Sequence, residues 1–146
     1  MTARDVAEYL LRLSDEEAND ITNLKLQKLV YYVQGFSLAA YDEKLFDEPI
    51  QAWRYGPVVA DLYHYYKDNG SQVIFPDPSY EFTQDFTPEQ EELMKEVNNI
   101  YGQYSGVKLM HLTHEERPWM EAQEKGASII NTQTMQDYFK EQLIEE

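Results

Sequence analysis

Apolar residues recur every three or four positions along most of this chain, the spacing of helices that bury one face. The longest such stretch covers residues 22–41 and is apolar around most of its circumference. A helix of this kind is expected to lie at the centre of the fold. Gly35 lies in its interior, where Gly costs roughly 1 kcal/mol relative to Ala. We therefore expect a second helix to approach closely at Gly35.

Further helices are predicted from the same spacing and from residues that start helices. Residues 2–14 form the first, with Thr2 as cap and Asp5 completing a short capping box, and residues 14–20 form a loop. Thr87 and Pro88, followed by Gln90, are a strong helix start. Other predicted helices cover residues 57–67, 105–112 and 118–126 and a last segment that begins at 132 or 134.

Residues 42–55 lack helical periodicity and are predicted to hold the β structure. Residues 45–46 and 50–55 read as short strands, with Pro49 interrupting a longer one, and we allow for a third near 80–82. Gly56 tolerates unusual backbone angles and Pro57 suits a first helical turn, so extended chain is expected to become helix there. The predicted fold is mostly α: one compact helical domain over residues 1–146 with a small central β element.

Composition narrows the class of protein. Hydrophobic residues make up 42% of the chain, which is enough for a core. There is no Cys, which excludes disulfides, thiolate metal sites and a Cys nucleophile. No apolar run reaches the roughly 20 residues of a membrane span, and no signal peptide is recognisable. We expect a soluble cytoplasmic protein that does not bind membranes.

The charge balance bears on the partner. With 12 basic and 27 acidic residues the net charge is −15, which argues against direct DNA binding because that relies on Lys and Arg. A basic partner would explain the charge, and so would solubility alone.

The histidines are the main candidates for chemistry. His111 and His114, followed by Glu115 and Glu116, could hold zinc, but they lack the spacing of a metalloprotease helix. Alternatively, Thr113 and Glu116 form a capping box and His114 bonds locally. We find no Gly-rich phosphate loop and no paired carboxylates with a signature spacing. No catalytic, metal or cofactor residue is predicted, and a small metal-dependent hydrolase stays as an alternative function.

A basic and aromatic set remains after this: Lys25, Lys28, Tyr31, Tyr32 and Arg54. In one interpretation the lysines are ordinary exposed residues and the tyrosines are core. In the other, the set is an interaction surface, since Tyr and Arg are frequent in binding hot spots.

Several segments, taken together in order and spacing, resemble the Panacea antitoxin domain, also called the SocA-like or prophage-associated GepA family. The resemblance covers roughly residues 3–125. It is carried by NLKLQKLVYY at 23–32, Gln34-Gly35, LFDEPIQAWRYGPV at 45–58, Tyr101-Gly102, Ser105-Gly106, LTHE at 112–115 and Pro118-Trp119.

The resemblance implies a mostly helical protein that neutralises a cognate toxin, encoded by an adjacent gene, through direct protein–protein binding. Members of the family serve unrelated toxins, and one branch instead acts as an adaptor that delivers its toxin to the ClpXP protease. Some relatives carry an extra N-terminal DNA-binding domain, but this chain begins directly in the antitoxin domain, so that role is not implied. The resemblance implies no catalysis and no cofactor. It leaves a homo-oligomer open.

The family's motif also supplies candidate residues for the signature and for partner binding. Gly56 and Pro57, with Gly35, are assigned to the fold. Because the toxins differ, the signature core need not be the toxin contact. The candidates are Lys25, Gln27, Lys28, Tyr32, Gln34, Trp53, Arg54, Tyr55, Gly56, Pro57, His114, Pro118 and Trp119.

Overall fold

The computed structural model describes residues 1–17 and 19–145, and this part of the chain is mostly helical with one small sheet. The prediction of a mostly α fold with a minor β element is confirmed. The elements are α1 (Ala3–Glu17), α2 (Asn23–Tyr41), β1 (Gln51–Trp53), β2 (Gly56–Val58), α3 (Ala60–Tyr66), a 3₁₀ turn (Lys67–Asn69), α4 (Pro88–Tyr101), α5 (Gly106–His114), α6 (Arg117–Lys125) and α7 (Thr132–Glu145).

Helix α2 is the centre of the fold, as predicted. It packs against α1, α3, α4, α5, α7 and β2, and most of its residues are buried. A Cβ at Gly35 would overlap the ring of Phe139 in α7. The expected close approach at Gly35 is therefore confirmed, and α7 is the helix that makes it.

Strands β1 and β2 form an antiparallel hairpin with Trp53 opposite Gly56, so Arg54 and Tyr55 make the turn. The predicted start of a helix at Pro57 is wrong, because residues 56–58 are a strand and α3 begins at Ala60. Pro57 is tolerated there because it lies opposite Ala52, whose N–H donates to the Ser128 carbonyl rather than across the hairpin.

Three further predictions for extended or irregular segments are wrong. Residues 45–46 and 80–82, all of which the structure describes, are not strands. Residues 45–46 are held by side-chain hydrogen bonds instead, and Tyr80 and Thr83 both donate to the buried carboxylate of Asp5. Helix α1 continues to Glu17, so the loop predicted from Ser14 starts too early; residue 18 of that loop lies outside the described residues.

The predicted helix starts agree with the structure where a capping side chain marks them. The Asp5 N–H donates to Thr2 Oγ1 at 3.1 Å and the Thr2 N–H donates to Asp5 Oδ2 at 2.8 Å. Thr87 and Gln90 form a complete capping box on α4, and Ser105 caps α5. In the described residues no helix is long and apolar enough to cross a membrane.

Candidate functional site

The signature residues of α2 point into the protein. Lys25 is 1% exposed and Lys28 is 0% exposed, so the interpretation of both as ordinary exposed residues is wrong. Tyr31 and Tyr32 are core residues, as that same interpretation expected. Of the basic and aromatic set, only Arg54 is exposed, so these five residues do not form a surface together.

Two buried glutamines of α2 bind the backbone of neighbouring segments. Gln34 Nε2 donates to the Phe46 carbonyl at 2.8 Å, and the Leu45 N–H donates to Gln34 Oε1 at 2.8 Å. Gln27 Oε1 accepts the Val59 N–H at 3.0 Å, directly before α3. Glutamine suits both positions because its amide has a donor and an acceptor on one flexible side chain. The irregular segment before the hairpin and the start of α3 are thereby attached to α2.

The two buried lysines have different surroundings. Lys25 Nζ lies 2.8 Å from Asp20 Oδ1 and donates to the Gly102 carbonyl at 2.6 Å, so its charge has a partner. Lys28 Nζ donates to the Pro57 carbonyl at 3.3 Å, and no carboxylate of the described residues forms an ion pair with it. Burial lowers the pKa of Lys28 to about 7, because a charged ammonium is costly away from water.

Position 56, which packs against Lys28, requires glycine for two reasons. Its φ is +106°, in the region that other residues rarely adopt. A Cβ there would also lie 2.8 Å from Lys28 Cε and 2.9 Å from Thr113 Oγ1. The assignment of Gly56 to the fold is thus consistent with both its backbone angle and its packing.

Glu116 is a buried residue that the sequence analysis placed wrongly. It does not form a capping box with Thr113, whose hydroxyl donates to the Met110 carbonyl at 2.8 Å. Its carboxylate instead accepts the hydroxyls of Tyr31 at 2.9 Å and Tyr32 at 2.7 Å. Burial raises the pKa of Glu116 to about 7. The hydroxyls of two adjacent buried tyrosines need hydrogen-bond acceptors. This need was the signal in the sequence that pointed to a buried acceptor such as Glu116.

The histidines form no recognisable metal site. His111 is exposed, while His114 stacks on Trp119 with ring centroids 4.2 Å apart. Burial lowers the pKa of His114, and its Nε2 atom has no hydrogen-bond partner within the described structure. Among the side chains that the structure describes, no group of three or more His, Asp or Glu is placed to hold a metal ion.

The hairpin is held from behind by α6. Trp119 Nε1 donates to the Trp53 carbonyl at 2.8 Å, next to the buried Pro118. Trp53 in turn donates from its own Nε1 to Gln51 Oε1 at 2.7 Å. Trp119 therefore positions the backbone of Trp53, and His114 stacks on the ring of Trp119.

An open groove of about 810 Å³ lies between the hairpin, α3 and the first turns of α2 and α5, and we call it the hairpin groove. Trp53 and Tyr63 pack edge to face along it at 5.1 Å, and Tyr55, 55% exposed, stands at the hairpin turn. Gln27 and Lys28 also line it. Four signature residues thus meet here. The other apolar lining residues are Leu24, Val58 and Val107.

Sequence reasoning missed part of the hairpin groove. Tyr63 belongs to a run of aromatics that α3, with only seven residues, distributes between core and surface. Val107, 54% exposed, follows the cap of a short helix. An exposed valine directly after Ser105-Gly106 was the available signal, but nothing in the sequence placed it beside the hairpin. Arg54 lies at the turn with its guanidinium 5.7 Å from the Tyr55 ring centre.

Comparison with known proteins agrees with the resemblance found in the sequence. The family model described as "Antitoxin SocA-like, Panacea domain" matches residues 26–120. Antitoxin SocA of Caulobacter vibrioides (strain NA1000 / CB15N) is 36% identical over 72 residues, which are 49% of this chain and 38% of that relative. The match therefore spans less than half of the relative's length. No solved structure matches the chain significantly.

The family match includes α2 almost entirely, the hairpin, and the helices up to Met120. It thus contains the groove-lining Trp53 and Tyr55 and the residues that support them from behind. This chain belongs to the SocA-like antitoxin family, whose defining unit is the Panacea domain.

Proposed function

We propose that this chain is an antitoxin that neutralises a cognate protein toxin by binding it directly, and that the hairpin groove is the contact. Family membership supports the antitoxin role. The observation that carries the choice of surface is the set of accessible aromatic side chains that line the groove, Trp53, Tyr55 and Tyr63.

The interior of α2 supports the same choice by elimination. Gln27, Gln34 and Lys25 each bind groups of this chain and are almost fully buried. A toxin could reach them only after the fold had opened. Trp53, Tyr55 and Trp119 are signature residues that combine a large ring with access to solvent, and Trp53 and Tyr55 line the groove. Trp, Tyr and Arg dominate binding hot spots, and Trp and Tyr bury much area with few rotatable bonds.

The groove also offers a way for one fold to serve different toxins. Its aromatic residues at 53 and 55 belong to the family signature, whereas Tyr63 and Val107 do not. The first pair would supply the shared shape and the second pair the preference for one toxin. The net charge of −15 favours a basic toxin, whose encounter would be accelerated by attraction and slowed by added salt.

The antitoxin role is tested by co-expression with the product of the adjacent gene. We expect that product to stop growth alone and to be harmless when this chain is present. If the product is harmless alone, or stays toxic beside this chain, the antitoxin role is wrong.

The surface is tested by Tyr55→Ala with Tyr41→Ala as the matched control. Tyr41 is 46% exposed and lies at the C-terminal end of α2, whereas the groove is lined by the N-terminal end of this helix. The pair therefore compares two exposed tyrosines, one in the groove and one away from it. We expect only Tyr55→Ala to weaken toxin binding. Equal binding by both variants and the native chain would mean that toxin binds elsewhere.

Direct binding is distinguished from the adaptor role by repeating the co-expression in cells that lack ClpX. An occluding antitoxin protects these cells while the toxin accumulates in a stable complex. Protection that disappears without ClpX would show that this chain delivers the toxin for degradation.

A further inference from the structure

The backbone of the hairpin turn is held at both ends by side chains of the helices behind it. Trp119 of α6 donates to the Trp53 carbonyl at 2.8 Å. Lys28 of α2 donates to the Pro57 carbonyl at 3.3 Å. The turn between these two carbonyls carries the exposed ring of Tyr55. These bonds therefore set where the turn and its ring lie relative to the helices.

His114 of α5 supplies a third bond, between the other two. It hydrogen-bonds to the backbone of Arg54, and because this bond favours the protonated ring, the ring is the donor. The donor is Nδ1, since Nε2 has no hydrogen-bond partner within the described structure. The same ring stacks on Trp119 with centroids 4.2 Å apart. His114 thus contacts both the turn and one of the side chains that hold it.

The surroundings of His114 accommodate a neutral ring better than a charged one. A second proton would lie on Nε2, a buried atom with no acceptor beside it among the described residues. A buried donor without an acceptor is costly, and more so when it is charged. The charged groups that act on the ring are Lys28 from α2 and His111 from α5 itself, and both oppose its protonation.

No carboxylate of the described residues forms an ion pair with His114 or Lys28. Glu115 is exposed, and Glu116 accepts the hydroxyls of two buried tyrosines of α2. The hairpin itself contributes a further cation, Arg54, at the turn. A proton on His114 would therefore add a second positive charge beside Lys28 without a negative charge to balance it.

We propose that protonation of His114 releases the hairpin turn, so that the rings of the hairpin groove are arranged for binding only while His114 is neutral. The part that concerns the toxin rests on the proposed function. A charged ring gains hydration for Nε2 by leaving its site, which breaks the bond to Arg54 and the stack on Trp119. Because Trp119 holds the Trp53 carbonyl, two of the three supports of the turn weaken together.

The direction of the effect follows from the environment of the ring. Burial lowers the pKa of His114 below its ordinary value of 6.5. A released ring therefore takes up its proton at a higher pH than the held ring, and acidification favours release. Toxin affinity should be complete above pH 6.5. Below the pKa it should fall by up to about tenfold for each pH unit, because the fraction of neutral His114 falls by that factor.

The first test is the tryptophan fluorescence of the intact chain between pH 4.5 and 8. The chain has two tryptophans, Trp53 and Trp119, and both belong to this assembly. We expect the emission to change in a one-proton transition below pH 6.5. His114→Phe keeps a ring against Trp119 but cannot take up a proton, so it should lack the transition. Lys28→Met removes an opposing charge and should move the midpoint to higher pH, and thermal melts check that both variants fold.

The other two histidines of the chain are the matched controls. His64 lies 6.2 Å from the Trp53 ring, and His111 is exposed on α5. His64→Gln and His111→Gln should both retain the transition. A native chain without the transition, or a transition that persists in His114→Phe, would overturn the proposal.

The second test measures toxin binding at pH 8 and pH 5 for the native chain and His114→Phe. Kd should rise on acidification by a factor that is roughly 3- to 30-fold larger for the native chain. Titration of the toxin itself cancels, because both chains meet the same toxin. Equal factors would show that binding does not respond to His114 and would overturn the proposal. A fluorescence transition as expected, with no toxin binding at any pH, would reject the proposed function and support the link between His114 and the hairpin.

Discussion

The interior of α2 and the hairpin groove both contain residues of the family signature, but they use them differently. Inside, Gln27 and Gln34 bind backbone groups of the segments around the hairpin, and these bonds are inaccessible to a partner. At the groove, Trp53 and Tyr55 remain partly exposed although Trp119 fixes the backbone beneath them. We infer that a family signature combines two requirements: a polar interior that holds the hairpin in place, and the few rings that the hairpin presents.

Lys25 and Lys28 show the same contrast within one helix. Both are buried, but Lys25 is paired with Asp20, whereas Lys28 donates to the Pro57 carbonyl and pairs with no carboxylate of the described residues. A buried ammonium that is paired with a carboxylate can contribute to structure, whereas burial without such a partner lowers the pKa of Lys28 to about 7.

The largest effect is expected from Gln34→Leu, which tests whether interior signature residues act on the fold. The change leaves the Leu45 N–H and the Phe46 carbonyl without partners in a buried segment. At about 1–3 kcal/mol for each unsatisfied group, the free energy of unfolding should fall by about 2–6 kcal/mol. Urea denaturation measures it, with Gln34→Glu as a control that keeps an acceptor for Leu45. A variant as stable as the native chain would contradict the structural role of Gln34.

The next effect is a pH dependence that comes from Glu116. Its pKa is raised by burial from 4.5 to about 7, so between these values the folded chain binds more protons than the unfolded chain. The free energy of unfolding should therefore fall as pH rises across that window, by about 3 kcal/mol relative to Glu116→Gln. Denaturation of both proteins from pH 4 to 8 isolates this contribution, because other groups titrate equally in both. A constant difference would show that Glu116 is not held in the neutral form.

Tyr55→Ala tests the other side of the comparison. Because this ring is largely exposed, the free energy of unfolding should change by no more than about 0.5 kcal/mol. Toxin affinity should fall by about tenfold or more if Tyr55 is a hot spot. Paired melting and binding measurements separate the two effects. A clear loss of stability in this variant would show that Tyr55 supports the fold rather than contacts the toxin.

The smallest effect is expected from Thr87→Ala, which lies outside both regions. Thr87 Oγ1 accepts the Gln90 N–H at 3.1 Å and begins α4. Losing this cap should cost about 1 kcal/mol of stability, with Thr87→Ser restoring most of it. Toxin affinity should not change. A loss of affinity comparable to that of Tyr55→Ala would mean that binding responds to general stability rather than to the groove.

Local signals predicted the helices well and the hairpin poorly. Thr2, Thr87 and Ser105 cap helices through bonds that span three residues, so the sequence nearby contains the whole interaction. Pro57 is different, because it can begin a helix or lie in a strand position that needs no N–H. Its partner Ala52 and the distant Ser128 decide which. The strand prediction at 45–46 failed for a related reason, since Gln34 satisfies that backbone.

The candidate site was predictable in its parts and not in its assembly. The sequence identified Trp53, Tyr55 and Lys28 as members of the family signature. One interpretation, however, took Lys28 to be an exposed residue. Burial of a lysine depends on what covers it, here the hairpin at Gly56 and Thr113 of α5. Tyr63 and Val107 join the groove through the packing of α3 and α5, which no local pattern encodes.

The sequence by itself determined the family, the mostly helical class, the central position of α2 and the close approach at Gly35. These follow from periodicity, caps and residue size, which act between near neighbours or through a whole apolar face. The tertiary structure alone decided which polar residues are buried, what they bind and which rings stay accessible. Those outcomes depend on pairs far apart in the chain, such as Lys28 with Pro57 and Glu116 with Tyr31 and Tyr32, whose meeting is a property of the packed molecule.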